Sequence, residues 1–116
     1  MSEVLKEYFG FLTFDEVDQE SLDYAQAMIR EAGLDWDMGA GYLEVDYSGK
    51  DTNCFVVALL LRLAPIVGSS PGEVRCTEAR DDEKDPSFFF YHIEGSRLLR
   101  QEGRIVRGDS IEVELS

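Results

Sequence analysis

The segment Cys54 to Val67, CFVVALLLRLAPIV, constrains this chain more than any other. Wound at 3.6 residues per turn it is apolar on almost every side, with Arg62 the only charge, so a helix built from it has no face to give to water. Two environments accept such a helix: a membrane, or a core that covers it from more than one direction. The apolar run is broken by Arg62 and closed by Gly68, well short of the roughly 20 residues a bilayer span requires. It is therefore expected inside a folded core, pressed against a sheet and a second helix, with Pro65 kinking or ending it.

The flanking sequence supplies both partners. Leu22, Ala25, Met28, Ile29 and Ala32 recur at three- and four-residue steps and predict an amphipathic helix up to about Ala32, stopped by Gly33. Ahead of it, Asp15, Glu16 and Asp18 are placed to cap free amides and oppose the positive end of the helix dipole. Gly10 to Phe14 reads as a first strand beginning as early as Tyr8. In Gly41 to Tyr47 the apolar Leu43, Val45 and Tyr47 alternate with Tyr42, Glu44 and Asp46, the pattern of a half-buried strand. Ser48-Gly49-Lys50 turns the chain, and Asp51 or Thr52 is expected to cap the second helix.

Past the loop Gly68 to Gly72 the sequence reads as strands. Glu73 to Ala79 is one, and the polar stretch Asp81 to Pro86 leads into Ser87 to Ile93. That second strand, SFFFYHI, is aromatic on both faces, which suggests a central strand or a sheet partly covered by another chain. Glu102-Gly103 is expected as a hairpin turn between Leu98–Gln101 and Arg104–Val106, and Ile111, Val113 and Leu115 predict a final strand. The order β-α-β-α-β-β-β(-β) in 116 residues implies one α+β domain, a two-layer sandwich with a mixed sheet and both helices on one face. This layout is related to the ferredoxin-like arrangement but reads only one strand between the helices where that arrangement has two. Trp36 to Gly39 is the stretch able to hold the missing one.

Charge narrows the partners. The chain has a net charge of −13. Residues 1–58 carry thirteen acidic and three basic side chains, and residues 59–116 carry eleven and eight. Phosphate backbones are bound by clustered Lys and Arg, so nucleic acid is not an expected partner, nor is an anionic membrane surface. The first residues lack a basic segment followed by an apolar run and do not read as a secretory signal. Cys54 and Cys76 have neither metal nor redox spacing and are expected as two free, buried thiols, which suits a cytoplasmic protein.

No catalytic motif of any specificity is present, and no cofactor is expected. Gly39-Ala40-Gly41 lacks a third glycine and precedes a strand, so it fails as a dinucleotide loop. One His and two distant Cys do not make a zinc site. The acidic cluster Asp81/Asp82/Glu83/Asp85 lacks the glycine and spacing of a calcium loop, and no metal ligand is assigned. Three sets of residues remain as candidates. Asp15, Glu16, Asp18, Asp35, Asp37, Glu44 and Asp46 would form an acidic protein-binding face. Arg97, Arg100, Arg104 and Arg107 fall within eleven residues and suit recognition of an anion. Phe90, Tyr91 and His92 would line a pocket. The leading expectation is a non-enzymatic interaction domain, of inhibitor or immunity type, for a basic protein partner. The alternatives are a small ligand-binding or enzymatic domain built on Phe88–His92 with the arginines as anion clamp, and a homodimer in which acidic and arginine-rich regions meet.

Overall fold

The computed structural model describes residues 4–50, 54–80, 86–103, 109–110 and 112–113. Eight elements follow in order: β1 (Val4–Thr13), α1 (Gln19–Glu31), β2 (Asp37–Gly39), β3 (Tyr42–Gly49), α2 (Phe55–Val67), β4 (Val74–Arg80), β5 (Ser87–Glu94) and β6 (Arg97–Gly103). The strands form one sheet in the order β2-β3-β1-β4-β5-β6.

The two-layer α+β architecture is the expected one, but every strand pairing in the sheet is antiparallel rather than mixed. The reason is β2. With one strand between the helices, β1-α1-strand would be a parallel crossover. The short hairpin of β2 and β3, with Met38 opposite Leu43, reverses the chain once more, so β3 returns antiparallel to β1. The stretch read as able to hide a strand does hide one, three residues long. The first six elements thus reproduce the β-α-β-β-α-β order of the ferredoxin-like arrangement, and the hairpin β5–β6 widens the sheet beyond β4.

That hairpin corrects another expectation. Its turn is Gly95-Ser96, with φ of 58° and 63°, the two consecutive left-handed residues of a type I′ turn whose twist matches the strands it joins. Glu94 and Arg97 face each other across it, and β6 runs straight through Glu102 to Gly103. Ser96 N–H donates to the Gly68 carbonyl, and Gly95 N–H to Ser69 Oγ, tying the turn to the loop after α2. Arg104, Val106, Arg107, Ile111 and Leu115 lie outside the described residues, as do Asp51, Thr52 and the Asp81–Asp85 cluster. Glu112 and Val113, read as part of a last strand, belong to none, and Val113 is exposed.

Each helix is set by local chemistry. The Asp18 carboxylate accepts from Ser21 N–H at 2.9 Å, which opens α1, and Gly33 at φ 73° closes it. α1 buries Ala25, Met28 and Ile29. α2 buries Val56, Leu59, Leu60, Leu63, Ala64 and Val67. Pro65 lies inside α2 without ending it. It withholds one N–H from the Leu61 carbonyl, and Leu61 is exposed, where water can take that bond. The N-cap of α2 is Cys54, in the left-handed region at φ 53° and without a side-chain cap. Its thiol is exposed, against the expectation of burial, whereas Cys76 is buried, and neither is in a disulfide. No described helix is long and apolar enough to cross a membrane.

Both helices cover the same side of the sheet. Tyr8, Leu12, Leu43, Val45, Val74, Cys76, Tyr91 and Ile93 point into that layer and are buried with the helix residues in one apolar cluster. Tyr47 joins Phe55 of α2 edge-on at 5.2 Å, and Tyr8 lies 6.2 Å from Tyr47 and 6.4 Å from Tyr91. Gly10 sits mid-strand where β4 passes closest: a Cβ there would stand 2.6 Å from the Glu73 carbonyl and 2.7 Å from Val74 Cα. Both are backbone atoms and cannot move aside cheaply. Gly10→Ala is therefore expected to destabilise the fold by about 1–3 kcal/mol, read as a lower urea midpoint at unchanged slope.

Candidate functional site

Side chains alternate across a sheet, so residues whose strand neighbours are buried must face the other way. On β1 these are Leu5, Glu7, Phe9, Phe11 and Thr13. On β3 they are Tyr42, Glu44 and Asp46, on β4 Arg75 and Thr77, on β5 Phe88, Phe90 and His92, and on β6 Arg97, Leu99 and Gln101. No described element packs over this open face. Its centre is nevertheless apolar. Phe9 is 54% exposed, Phe11 52% and Leu5 49%, with Phe88 and Phe90 half-buried beside them.

The register fixes the layout. Phe9 lies between Asp46 of β3 and Arg75 of β4, and Arg75 lies next to Phe90 of β5. Phe11 lies beside Glu44, which in turn faces Asp37 of β2. The Phe11 ring stacks on Tyr42 at 5.9 Å and 19°. The Tyr42 ring covers Gly39 so closely that a Cβ there would clash with it, and its hydroxyl donates to the Asp37 carboxylate at 3.3 Å to either oxygen. Between these side chains is an open hollow of about 470 Å³, walled by Phe9, Phe11, Phe90, Glu44, Glu73 and Arg75 and floored by backbone at Gly10 and Val45. Among the described residues, Glu44, Asp46, Glu73 and Arg75 make no side-chain hydrogen bond or ion pair.

The candidate residues scatter across this geometry. Asp37, Glu44 and Asp46 share the open face. Asp15, Glu16 and Asp18 do not: they occupy the β1–α1 connection, which is held against the β2–β3 turn by Phe14 N–H to Gly41 O and Val17 N–H to Ala40 O. Asp18 spends its carboxylate on the helix cap, and the hydrogen bonds from Ser21 hold it below the usual carboxylate range. Asp35 is exposed in the α1–β2 connection. The seven carboxylates are thus not one face.

Arg97 and Arg100 fall on opposite faces of β6. Arg97 is on the open side, and Arg100 lies over the Phe89 ring at 5.2 Å on the helix side. Arg104 and Arg107 are outside the described residues. Of the pocket trio, Phe90 and His92 are on the open face, but Tyr91 points the other way and is 6% exposed. Burial pushes the Tyr91 hydroxyl above the usual phenol range, against the pull of neighbouring Arg100. His92 borders a second hollow of about 480 Å³, with Ser69, Ser70, Gly72, Glu73 and Glu94 among its walls. Among the described residues no three His, Cys, Asp or Glu side chains converge as a metal site.

Sequence reasoning did not single out Phe9, Phe11 or Arg75. In β1 the aromatic residues occupy both faces, so alternation alone cannot say which ones are covered.

The Asp37 charge holds the Tyr42 hydroxyl above the usual phenol range, and the hydrogen bond between them adds to it. In Asp37→Ala both causes go, and Tyr42 is expected to deprotonate at lower pH than in the parent chain. Ring-carbon NMR shifts followed through alkaline titration would show it.

Comparison of the chain with protein-family models, with curated proteins and with solved structures finds no match in any of the three.

Proposed function

We propose that this chain is a protein-interaction domain, of the binding or inhibitory kind, whose working surface is the open face of its sheet. The observation that carries this reading is the gathering of exposed and half-buried apolar side chains on one side of the sheet, with Phe9, Phe11 and Tyr42 on β1 and β3, Phe88 and Phe90 on β5 across Arg75, and Leu5 beyond Glu7, on a face that no described element covers. Single apolar residues on a surface mean little, but large apolar side chains gathered on one uncovered sheet face support a surface that another molecule covers. Five strands of seven to ten residues, spaced about 4.8 Å apart, offer a face of roughly 600 Å² in projection. That approaches the ~800 Å² each partner buries in a standard protein interface.

The same chemistry disfavours other ligands. Aromatic side chains on a sheet can stack bases, but single-stranded nucleic acid also needs a cationic groove along its backbone. Here Glu7, Glu44, Asp46 and Glu73 surround the rings, and Arg75 is the cation among them. Phosphate would be repelled. Two unbridged cysteines support a reducing compartment and hence a cytoplasmic protein.

The test is retention of protein partners on immobilised chain, from extract of the source cell and from co-expression with an untagged copy. The parent chain is expected to retain a defined partner that Phe9→Ser/Phe11→Ser loses while keeping its circular dichroism. Retention of nothing, or of the same proteins by both chains, would sink the proposal.

A further inference from the structure

The hollow at the centre of the open face carries a statement about what enters it. This step rests on the docking role proposed above and names its chemistry: we infer that the hollow seats a cationic side chain of a basic partner, an arginine guanidinium above all. Three phenyl rings, Phe9, Phe11 and Phe90, and two carboxylates, Glu44 and Glu73, wall the same space, with Asp46 adjacent across β1 and Arg75 opposite. Three negative charges against one positive charge leave the neighbourhood anionic.

Three kinds of occupant can be weighed by what happens to those charges. An apolar plug would bury Glu44 and Glu73 without partners, and an unpaired buried carboxylate is the costliest group to leave in an interface. An anion would find Arg75 but face three carboxylates. A guanidinium satisfies both parts of the wall. Its plane stacks on aromatic faces, and its forked N–H groups reach carboxylates on either side. Lysine would meet the charge but not the stacking. A second copy of the chain brings its own Glu44, Asp46 and Glu73 to the contact along with a net charge of −13, and at close range like charges across an interface cost more than its Arg75 and Arg97 return. Charge complementarity therefore favours a foreign, basic partner over self-association. Arg75 is the one element of the hollow that opposes a cation, so its removal should help.

Arginine amide serves as the probe, with lysine amide and acetate as comparisons, each titrated into isotope-labelled chain and followed by backbone amide shifts. Saturable shifts at Phe9, Gly10, Phe11, Glu44 and Phe90 are expected with arginine amide, weaker ones with lysine amide and none with acetate. Glu44→Gln/Glu73→Gln should weaken the arginine amide by about three- to tenfold, as expected for exposed ion pairs, while Arg75→Gln should tighten it by about two- to fivefold. The opposite signs matter because a ligand that is an anion reverses both. Scattered or absent shifts, binding of acetate instead, or reversed variant effects would each overturn the inference. So would a chain of twice 13.1 kDa in light scattering whose dimer is lost in Phe9→Ser/Phe11→Ser, because the face is then covered by a second copy. In every one of these outcomes the docking role still stands if the aromatic double variant loses a partner, so the two readings fail separately.

Discussion

The whole fold depends on hiding α2. A thirteen-residue helix that buries Val56, Leu59, Leu60, Leu63, Ala64 and Val67 must be covered along most of its length, at roughly 1.5–3 kcal/mol for each large side chain removed from water. Only one side of the sheet can do this. α1 lies beside α2 on that side, and the aromatic row Phe55–Tyr47–Tyr8–Tyr91 fills the layer between helix and strands. Committing one side of the sheet to the helices leaves the other side to be something else. In this chain it is aromatic at its centre.

Much of the scaffold was legible because its segments carry a single period. α1 declares itself by three- and four-residue spacing and by its cap and stop residues. β3 declares itself by strict alternation, with Leu43, Val45 and Tyr47 on the covered side and Glu44 and Asp46 on the open one. β2 was legible only as a gap, because three residues are too few to establish a period. Its presence changed the pairing of the whole sheet from mixed to antiparallel. The Gly95-Ser96 turn escaped because Glu102-Gly103 presents an equally good turn pair, and only the pairing of β6 along its full length decides between them.

The site was less legible than the scaffold, for a physical reason. Charge can be counted from a sequence but not placed in space. Asp15, Asp18 and Asp46 add equally to the negative count of the first half, yet one lies in a connection, one caps a helix and one sits on the open face. Aromatic residues posed the reverse difficulty: Tyr8 and Phe9 read alike, and only the register shows that the first is buried while the second is 54% exposed. The double-sided aromatic character of Ser87–Ile93 was the one signal in the sequence that pointed toward a covered open face.

The two borders of the sheet differ from its middle in a way that bears on how the molecule behaves in a crowded solution. One border is β2, only three residues long. The other is β6, which carries Arg97, Arg100, Gln101 and Glu102 among its seven residues. A stunted strand and a charged one are both poor templates for strand addition. Growth of the sheet sideways into fibres is thereby discouraged along β2 and β6, the strands that end the described sheet. A protein built this way carries an aromatic sheet face between two borders that give a new strand little to pair with.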